Sequence, residues 1–405
     1  MKKKLTACVS ALAAVAAAVI PLGVASPGGA AAKAPVVILD ITATSGATAI
    51  YGSQETLGLE AGAKYVNSTG GILGHKVIIK IVNDNSDPAT AVSELSQDLA
   101  NGASKYTMVW AGEEGTATAA LLPILKRYPG VYATAVNDGN GQCTQVSNCP
   151  GFFAQEGGVQ FAEIADANYL KSLGVKSVGI VEEQFTYDEA ENTYILQDLA
   201  KMGIKTTVQT IETTAVSATP EMQALQSAGV QAVFAETLGP TAAYVLSARA
   251  ALNWNVPMTL DITGSSVNDA GLVPVSQLQG VTETAQYCMV RSNKDPSFPM
   301  MIKWARPQAF NGSIICAVPY TGWNAIQMLK AAATQANSVN DAALIKTTAH
   351  LHFASTQKNY AFWMAGPATC WTTTNHENAC QRASYDSVVP AGLLKNTRLY
   401  PLPKS

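Results

Sequence analysis

Residues 65–88 combine the end of a helix, a glycine turn and an apolar strand in one short stretch. It reads Tyr-Val-Asn-Ser-Thr-Gly-Gly-Ile-Leu-Gly-His-Lys-Val-Ile-Ile-Lys-Ile-Val-Asn-Asp-Asn-Ser-Asp-Pro. The glycine pair follows helical periodicity, and the β-branched run that comes next stops at Asp-Pro. This pattern is typical of the second strand of a βαβ unit, which predicts a parallel sheet covered by helices.

The same alternation of β-branched runs and helical periodicity continues along most of the chain. It predicts an α/β protein with parallel sheets and helices on both sheet faces. Because the pattern occurs twice, we expect two similar lobes. The first series has strands at 36–41, 77–82, 107–111 and 131–136, and helices at 54–67, 89–101 and 116–128. The second series has helices at 158–173, 189–202, 220–228 and 240–252, and strands at 177–181, 205–211, 232–235 and 258–260.

The first 32 residues contain the three parts of a secretory signal. Three lysines at 2–4 precede an Ala/Val/Leu run, and three alanines at 30–32 form a small-residue cleavage site. We therefore expect an exported mature chain that starts near Lys33. Cys8 precedes the apolar run instead of following it, so no lipid anchor is expected there. No later segment is long and apolar enough to span a bilayer.

Charge and length restrict the partners and the number of domains. Without the three signal lysines, 23 basic and 29 acidic residues remain, a formal charge of −6 with no basic cluster. This composition argues against nucleic acid as a partner. About 370 residues exceed what one hydrophobic core usually accommodates, which predicts two domains.

Six of the seven cysteines lie after the signal. In an exported protein an even number favours disulfides over metal ligation. Six cysteines allow fifteen pairings. The simplest of these joins Cys143 with Cys149, Cys370 with Cys380, and Cys288 with Cys316.

The stretch from Gly70-Gly71 to Pro88, together with the signal, resembles the solute-binding proteins of bacterial ABC importers. The similarity is to the branched-chain amino-acid (Leu/Ile/Val) family of type I periplasmic binding proteins, and it covers residues 35 to about 350. It implies an α/β fold of two Rossmann-like lobes whose parallel sheets are flanked by helices. A three-stranded hinge would join the lobes, with crossings near Phe153, Tyr287 and Phe353.

The resemblance also implies how the chain is divided between the lobes. The N-terminal lobe would comprise residues 33–154 and 288–352, including a helix at 319–337. The C-terminal lobe would comprise residues 155–287 and 353–405, with the irregular tail as its cover. We expect a monomer without a cofactor that closes over a small polar or amphipathic solute. In the periplasm or cell-wall space, the closed form would be presented to the permease subunits of an ABC transporter.

The loop after the strand at 107–111 aligns with the family's loop for an amino-acid carboxylate. This implies ligand contacts from Gly115 and Thr116, while Glu113 and Glu114 stand where small hydroxyl residues are usual. A bound carboxylate would there meet like charge. Alternatively, both glutamates are first-turn acids favoured by the helix dipole, worth about 0.3–1 kcal/mol each. The two interpretations remain open.

Other positions match ligand contacts of the family. Thr134 matches a threonine that supplies a hydroxyl, and Tyr51 and Tyr187 match aromatic rings that cover the ligand from the two lobes. Trp110 lies beside the first ligand loop, although a lone aromatic is more often part of a core.

The group that holds the ligand's ammonium is altered in this chain. The family has an acid after the strand that corresponds to 258–260, and our alignment places Thr263 there. Asp261 could replace the family's acid only if the alignment is shifted by two residues. Alternatively, Glu236 could supply the charge from the preceding strand. A zwitterionic amino acid is therefore less secure as the ligand than the resemblance implies.

Alternative functions have weaker support. A ligand sensor of the same fold is compatible with the sequence, and so is a secreted enzyme, because fold does not fix function. The motifs of serine hydrolases, phosphate loops and zinc proteases are absent. His350 and His352 form a surface pair without a third metal ligand, and residues 137–141 resemble a turn more than a calcium loop. We expect no metal site and no catalytic residue.

Overall fold

The computed structural model describes residues 33–112, 115–139, 141–155, 160–261, 263–264, 272–285, 297–305, 317–351, 371–378, 387–390, 394–395 and 398–399. Residues 1–32, the predicted signal, lie outside this range, as do four of the six later cysteines, Cys288, Cys316, Cys370 and Cys380. Cys143 and Cys149 form a disulfide, which confirms that predicted pair. Within the described ranges, every helix is too short or too polar to cross a bilayer.

The strands form two separate main sheets, which confirms the predicted α/β class. The first-half strands are β1 (Val36–Thr42), β2 (Val77–Asn83), β3 (Met108–Ala111), β4 (Ala133–Ala135) and β5 (Phe152–Ala154). They are parallel and lie in the order β2-β1-β3-β4-β5. The later strands are β6 (Ser177–Glu183), β7 (Lys205–Ile211), β8 (Ala232–Glu236), β9 (Met258–Leu260), β10 (Val281–Ala285), β11 (Ser387–Pro390), β12 (Leu394–Lys395) and β13 (Arg398–Leu399).

The second sheet has the order β11-β10-β9-β8-β6-β7, and its strands are parallel except for β11. There β11 pairs antiparallel with β10, while β12 and β13 form a small hairpin of their own. The helices are α1 (Ala49–Ser68), α2 (Pro88–Ala100), α3 (Gly115–Arg127), α4 (Gln160–Ser172), α5 (Thr186–Lys201), α6 (Thr219–Ser227), α7 (Gly239–Ala251), α8 (Ser297–Ala305), α9 (Ala317–Ala336) and α10 (Asp341–Thr348).

Side-chain alternation explains why both sheets are covered on both faces. In β1, Val36 and Ile38 join a buried cluster with α1 and α9, whereas Leu39 and Ile41 join another with α2 and α3. The second sheet is divided in the same way between α6 with α7 and α4 with α5. Because these strands are buried on both faces, their sequences are nearly continuous apolar runs.

The glycine turn and the Asp-Pro pair act as the sequence predicted. Gly71 has φ +77° and donates its backbone N–H to Val66 O at 2.9 Å, which ends α1 with a left-handed residue. Asp87 is the N-cap of α2, because its carboxylate accepts the N–H groups of Ala89 and Thr90. Pro88 occupies the first turn, where its missing N–H costs no hydrogen bond.

Helix α1 begins five residues before the predicted start at residue 54. Its first turn carries Ile50 and Tyr51, which belong to a small cluster apart from the main core of this lobe. The core-facing periodicity begins only further along the helix, so pattern analysis missed this turn.

Helices α1 and α9 pack unusually close together. A Cβ atom on Gly58 of α1 would collide with the carbonyl of Pro319, and one on Gly322 of α9 would collide with the carbonyl of Glu55. Because the obstructing atoms belong to backbone, a side chain at either position would separate the helices. Tyr65 stacks on Trp323 nearby, with ring centroids 5.4 Å apart.

Residues 371–378, which we call the strap, pack on the first lobe. The backbone N–H of Ala154 in β5 donates to His376 O at 2.9 Å, and the Trp371 indole N–H donates to Ala154 O at 2.7 Å. His376 stacks on Phe153 at 4.1 Å. The strap thus covers the edge strand β5, whose backbone groups would otherwise lack partners.

The strap corrects the prediction that all of residues 353–405 cover the second lobe. Within the described residues, the tail is shared: the strap lies on the first lobe and β11 lies in the second sheet. The predicted crossing near Phe353 lies outside the described residues. The unpaired edge of β5 explains the difference, and an aperiodic segment gives no sequence signal for it.

The glycine contact between α1 and α9 gives a stability prediction. Gly322→Ala should lower the free energy of unfolding by about 1–3 kcal/mol, because the clash outweighs the gain in helix propensity. Urea denaturation measures the change. Gly130→Ala is the matched control, since a Cβ there meets no atom within 4 Å. Equal stability of both variants would contradict this account of the packing.

Candidate functional site

The first turn of α1 joins the two sheets at their carboxyl ends. Tyr51 is 5% exposed, and its oxygen accepts the backbone N–H of Gly239 at 2.9 Å. The same hydroxyl donates to the carbonyl of Thr263 at 3.0 Å. Gly239 begins α7 and Thr263 follows β9, so a side chain of the first lobe is bonded to two loops of the second.

Apolar side chains from both lobes surround this contact. Tyr51 and Leu238 are buried together, and partly buried Ile50, Phe185 and Val318 pack against them. Phe185 and Leu238 come from the loops after β6 and β8, while the other three come from α1 and α9. We call these five residues the seam. The carboxyl ends of parallel strands are where ligands bind in open α/β sheets, so the seam marks the candidate site.

Glu183 fixes the start of α7 beneath the seam. This residue ends β6, and its carboxylate accepts the N–H of Leu238 at 3.1 Å and a hydrogen bond from the Thr241 side chain. Burial is the largest cause that raises the pKa of Glu183, which is about 7. The two hydrogen bonds lower this pKa, and the charge of Asp261 raises it further. The carboxyl group therefore exchanges its proton near neutral pH.

Asp261 organises the loop after β9. It is fully buried, and its carboxylate accepts the N–H groups of Thr263 and Gly264 at 2.8 Å and that of Thr237 at 3.4 Å. The Thr263 hydroxyl donates to the same carboxylate. Burial raises its pKa to about 6 despite these donors. Both oxygens are thereby occupied within the loop.

A similar buried acid lies under α1 in the first lobe. Asp40 of β1 accepts a hydrogen bond from the Thr56 hydroxyl at 2.7 Å. Burial raises the pKa of Asp40 to about 7, with smaller contributions from the charges of Asp84 and Glu60. The acid holds the first half of α1 over the end of β1 and so helps to position Tyr51.

Two predicted site residues lie in the first-lobe core. Trp110 is fully buried, and its indole N–H donates to a Glu55 carboxylate oxygen at 3.1 Å. The Thr134 hydroxyl donates to Phe153 O at 2.6 Å and accepts from the Gln155 side chain at 2.8 Å. These contacts join strands and helices of one lobe, and neither residue belongs to the seam.

The structure places the other predicted residues as follows. Gly115 and Thr116 form the first turn of α3, beside the loop that contains Gly139. Glu236 ends β8, fully buried and in register with Glu182. Tyr187 belongs to α5, but its side chain lies outside the described residues, as do Glu113 and Glu114. Tyr51 and Thr263 are thus the predicted residues that the structure brings into direct contact.

In the predicted turn at 137–141, of which Asn140 lies outside the described residues, two side chains bond to nearby backbone groups. Asn137 accepts the N–H of Gly139 at 2.9 Å, and Asp138 accepts the N–H groups of Gly141 and Cys143. Burial and the neighbouring Asp138 raise the pKa of Glu377 in the strap to about 8. Among the described side chains, no three His, Cys, Asp or Glu residues are grouped as metal ligands.

Sequence reasoning missed the second-lobe half of the seam. Phe185 and Leu238 are single apolar residues in loops, without periodicity to mark them. The Gly239-Pro240 pair was the available signal, because proline in the first turn indicates where a helix begins.

Comparison with known proteins identifies relatives of this architecture. A family model described as "Periplasmic binding protein" matches residues 35–382. A type 1 periplasmic binding protein from Bordetella pertussis Tohama I has a TM-score of 0.74 at 19% identity, covering 87% of this chain and 96% of its own. An ABC-transporter solute-binding protein from R. palustris, solved with benzoate, has a TM-score of 0.69 at 19% identity, covering 81% and 91%.

A curated relative agrees over a shorter stretch. A Leu/Ile/Val-binding protein homolog of Brucella abortus is 43% identical over 58 residues. The match spans 14% of this chain and 16% of that relative's length.

The raised pKa of Glu183 predicts how stability depends on pH. Folding favours the protonated form, so the stabilisation is complete below about pH 4.5 and is lost as the pH rises through about 7. Glu183→Gln cannot lose a proton. As the pH rises, the free energy of unfolding of Glu183→Gln should therefore increase relative to that of wild type. The relative increase should be at most about 3 kcal/mol.

Urea denaturation at pH 4.5, 6 and 7.5 measures this dependence. Glu212→Gln removes the same charge at an exposed position of the second lobe and serves as control. If Glu183→Gln and wild type show the same pH dependence, the carboxyl group does not titrate as described.

Proposed function

Because this chain belongs to the type I periplasmic binding protein family, we propose that it is the solute-binding component of an ABC importer. It captures a small organic solute between its lobes and delivers it to a membrane permease. The observation that carries the proposal is the double hydrogen bond of Tyr51 to Gly239 and Thr263. These two hydrogen bonds connect loops of both lobes, and a solute held between the lobes would lie beside those loops.

Hinge closure is the proposed mechanism. The N-terminal lobe comprises residues 33–154 and 288–352 with the strap, and the C-terminal lobe comprises residues 155–287 and the end of the tail from 387. The solute touches both lobes only when they are closed, so its binding free energy shifts the population to the closed state. The seam contacts add to the stability of that state.

The proposed solute site extends from the seam over neighbouring loops. Tyr51 and Thr263 lie at its centre. Trp110 and Thr134 support the first-lobe wall from behind. Further contacts come from the start of α3, from the start of α5 and from the end of β8, through Glu113, Glu114, Gly115, Thr116, Tyr187 and Glu236.

The apolar seam favours a solute with an apolar body. The names of the relatives point the same way, since one is a Leu/Ile/Val-binding homolog and another was solved with benzoate. We propose a binding role without catalysis, since binding is the role for which this family is named.

Export and cell-surface location are part of the proposal. Residues 1–32 act as the signal, and the Cys143–Cys149 disulfide fits an oxidising compartment. The receptor then works as a monomer in the periplasm or cell-wall space, without a lipid anchor at Cys8.

Small-angle X-ray scattering tests the function directly. The purified chain is screened with a library of amino acids, organic acids, sugars and amides, and hits are titrated by calorimetry. We expect a decrease in the radius of gyration with the bound solute. If no compound causes compaction, the proposed capture by closure is wrong.

Tyr51→Phe should weaken binding of the solute found in that screen by about tenfold. The variant loses both interlobe hydrogen bonds but keeps the ring, and about 1–1.5 kcal/mol of closed-state stability should disappear. Isothermal titration measures the affinity. Tyr244→Phe on α7 is the control, because that ring packs within the second-lobe core. An unchanged affinity of Tyr51→Phe would show that the phenol does not stabilise closure.

A further inference from the structure

We propose that residues 376–378 of the strap form a latch that closes on the first lobe when Glu377 and Asp138 share one proton. The latch opens when that proton is lost, so its position depends on the pH around the protein. This device is independent of the proposed solute binding. Three features carry it: a docking surface that exists without the latch, two buried carboxyl groups in contact, and the place of the strap between the two sheets.

The docking surface of the latch is held together by its own bonds. A disulfide joins Cys143 with Cys149 in the segment that follows the turn at 137–141. The carboxylate of Asp138 accepts the backbone N–H of Gly141 at 2.8 Å and that of Cys143. Because these bonds lie within one segment of the first lobe, the surface keeps its shape whether the latch is closed or open.

His376 aligns the latch on this surface. Its backbone N–H donates to Cys143 O at 2.9 Å, and its carbonyl accepts the N–H of Ala154 at 2.9 Å. Its imidazole Nδ1 contacts Cys149 O at 2.7 Å. Burial lowers the pKa of His376, so the ring is neutral at neutral pH and Nδ1 donates its hydrogen to that carbonyl. These contacts position the latch without adding a charge.

Glu377 meets a second carboxyl group on the docking surface. It is 5% exposed, and its side chain is hydrogen-bonded to that of Asp138, which is 4% exposed. A hydrogen bond between two carboxyl groups requires a proton on one of them, whereas two carboxylates repel each other. Two backbone N–H groups donate to Asp138 and favour its charged form. The shared proton therefore lies on Glu377, which donates it to Asp138.

An ionised Glu377 would be poorly compensated in the closed latch. Its Oε1 is buried and has no hydrogen-bond partner within the described residues. Among the described side chains, the titratable groups beside it are Asp138 and His376, and neither is a cation at neutral pH. Burial, followed by the charge of Asp138, raises the pKa of Glu377 to about 8. Loss of the proton to water therefore favours the open latch, in which both carboxylates are solvated.

Opening of the latch changes the connection between the lobes. Trp371 anchors the start of the strap, because its side chain is fully buried in the first-lobe core and its indole N–H donates to Ala154 O. After the latch, the chain continues to β11 in the second sheet. A closed latch therefore shortens the chain between the last first-lobe contact and β11. An open latch lengthens it and uncovers the backbone of β5.

Hydrogen exchange with NMR detection tests the latch. The N–H groups of His376 and Ala154 are protected by bonds that only the closed latch makes. Between the ordinary pKa of a glutamate, 4.5, and about 8, the closed form holds one proton more than the open form. Protection factors, which are corrected for the intrinsic exchange rate, should therefore fall about tenfold per pH unit from pH 5.5 to 7.5. The N–H of Val109 donates to Tyr132 O within the first sheet and should keep its protection.

Glu377→Gln separates the proton from the rest of the contact. Its amide can donate to Asp138 but cannot ionise, so both latch amides should keep constant protection over this pH range. Glu94→Gln is the control, because it removes a carboxyl group from α2, outside the latch contacts, and should retain the wild-type slope.

Three results would overturn the latch. One is a flat wild-type profile, and another is a slope that persists in Glu377→Gln. The third is an equal slope at Val109, because the whole lobe would then be opening. The wild-type profile decides the matter even if Glu377→Gln does not fold.

Discussion

The close contact between α1 and α9 determines much of the remaining structure. Because Gly58 and Gly322 carry no side chain, the two helices approach until backbone meets backbone. This fixes the axis of α1 against the first sheet, with Asp40 bonded beneath it through Thr56. The first turn of α1 is thereby directed toward the second lobe, where Tyr51 reaches α7 and the loop after β9.

The candidate site concentrates buried acids that the fold alone does not require. Asp40, Glu183 and Asp261 all have pKa values raised by burial, to about 6 or 7. Each holds a loop or a helix at the end of a strand. These buried acids lower the stability of the fold at neutral pH. Their hydrogen bonds fix the positions of the loops before a solute binds.

Most of the fold could be predicted from the sequence because periodicity reports burial. Strand β7 and strand β9 have the predicted limits, and helix α2 agrees within one residue. The candidate site is harder to read from the sequence, since loop side chains lack periodicity. Trp110 and Thr134 show the difficulty, because their roles depend on partners that the chain brings from far away, at Glu55 and Phe153.

The strap has a consequence for how this molecule can be divided. Residues 371–378 complete the edge of the first sheet, while β11 a few residues later completes the edge of the second. Neither lobe is therefore a contiguous piece of the gene, and no single cut yields two halves that each retain their own edge. The lobes of such a protein therefore cannot be exchanged as independent modules.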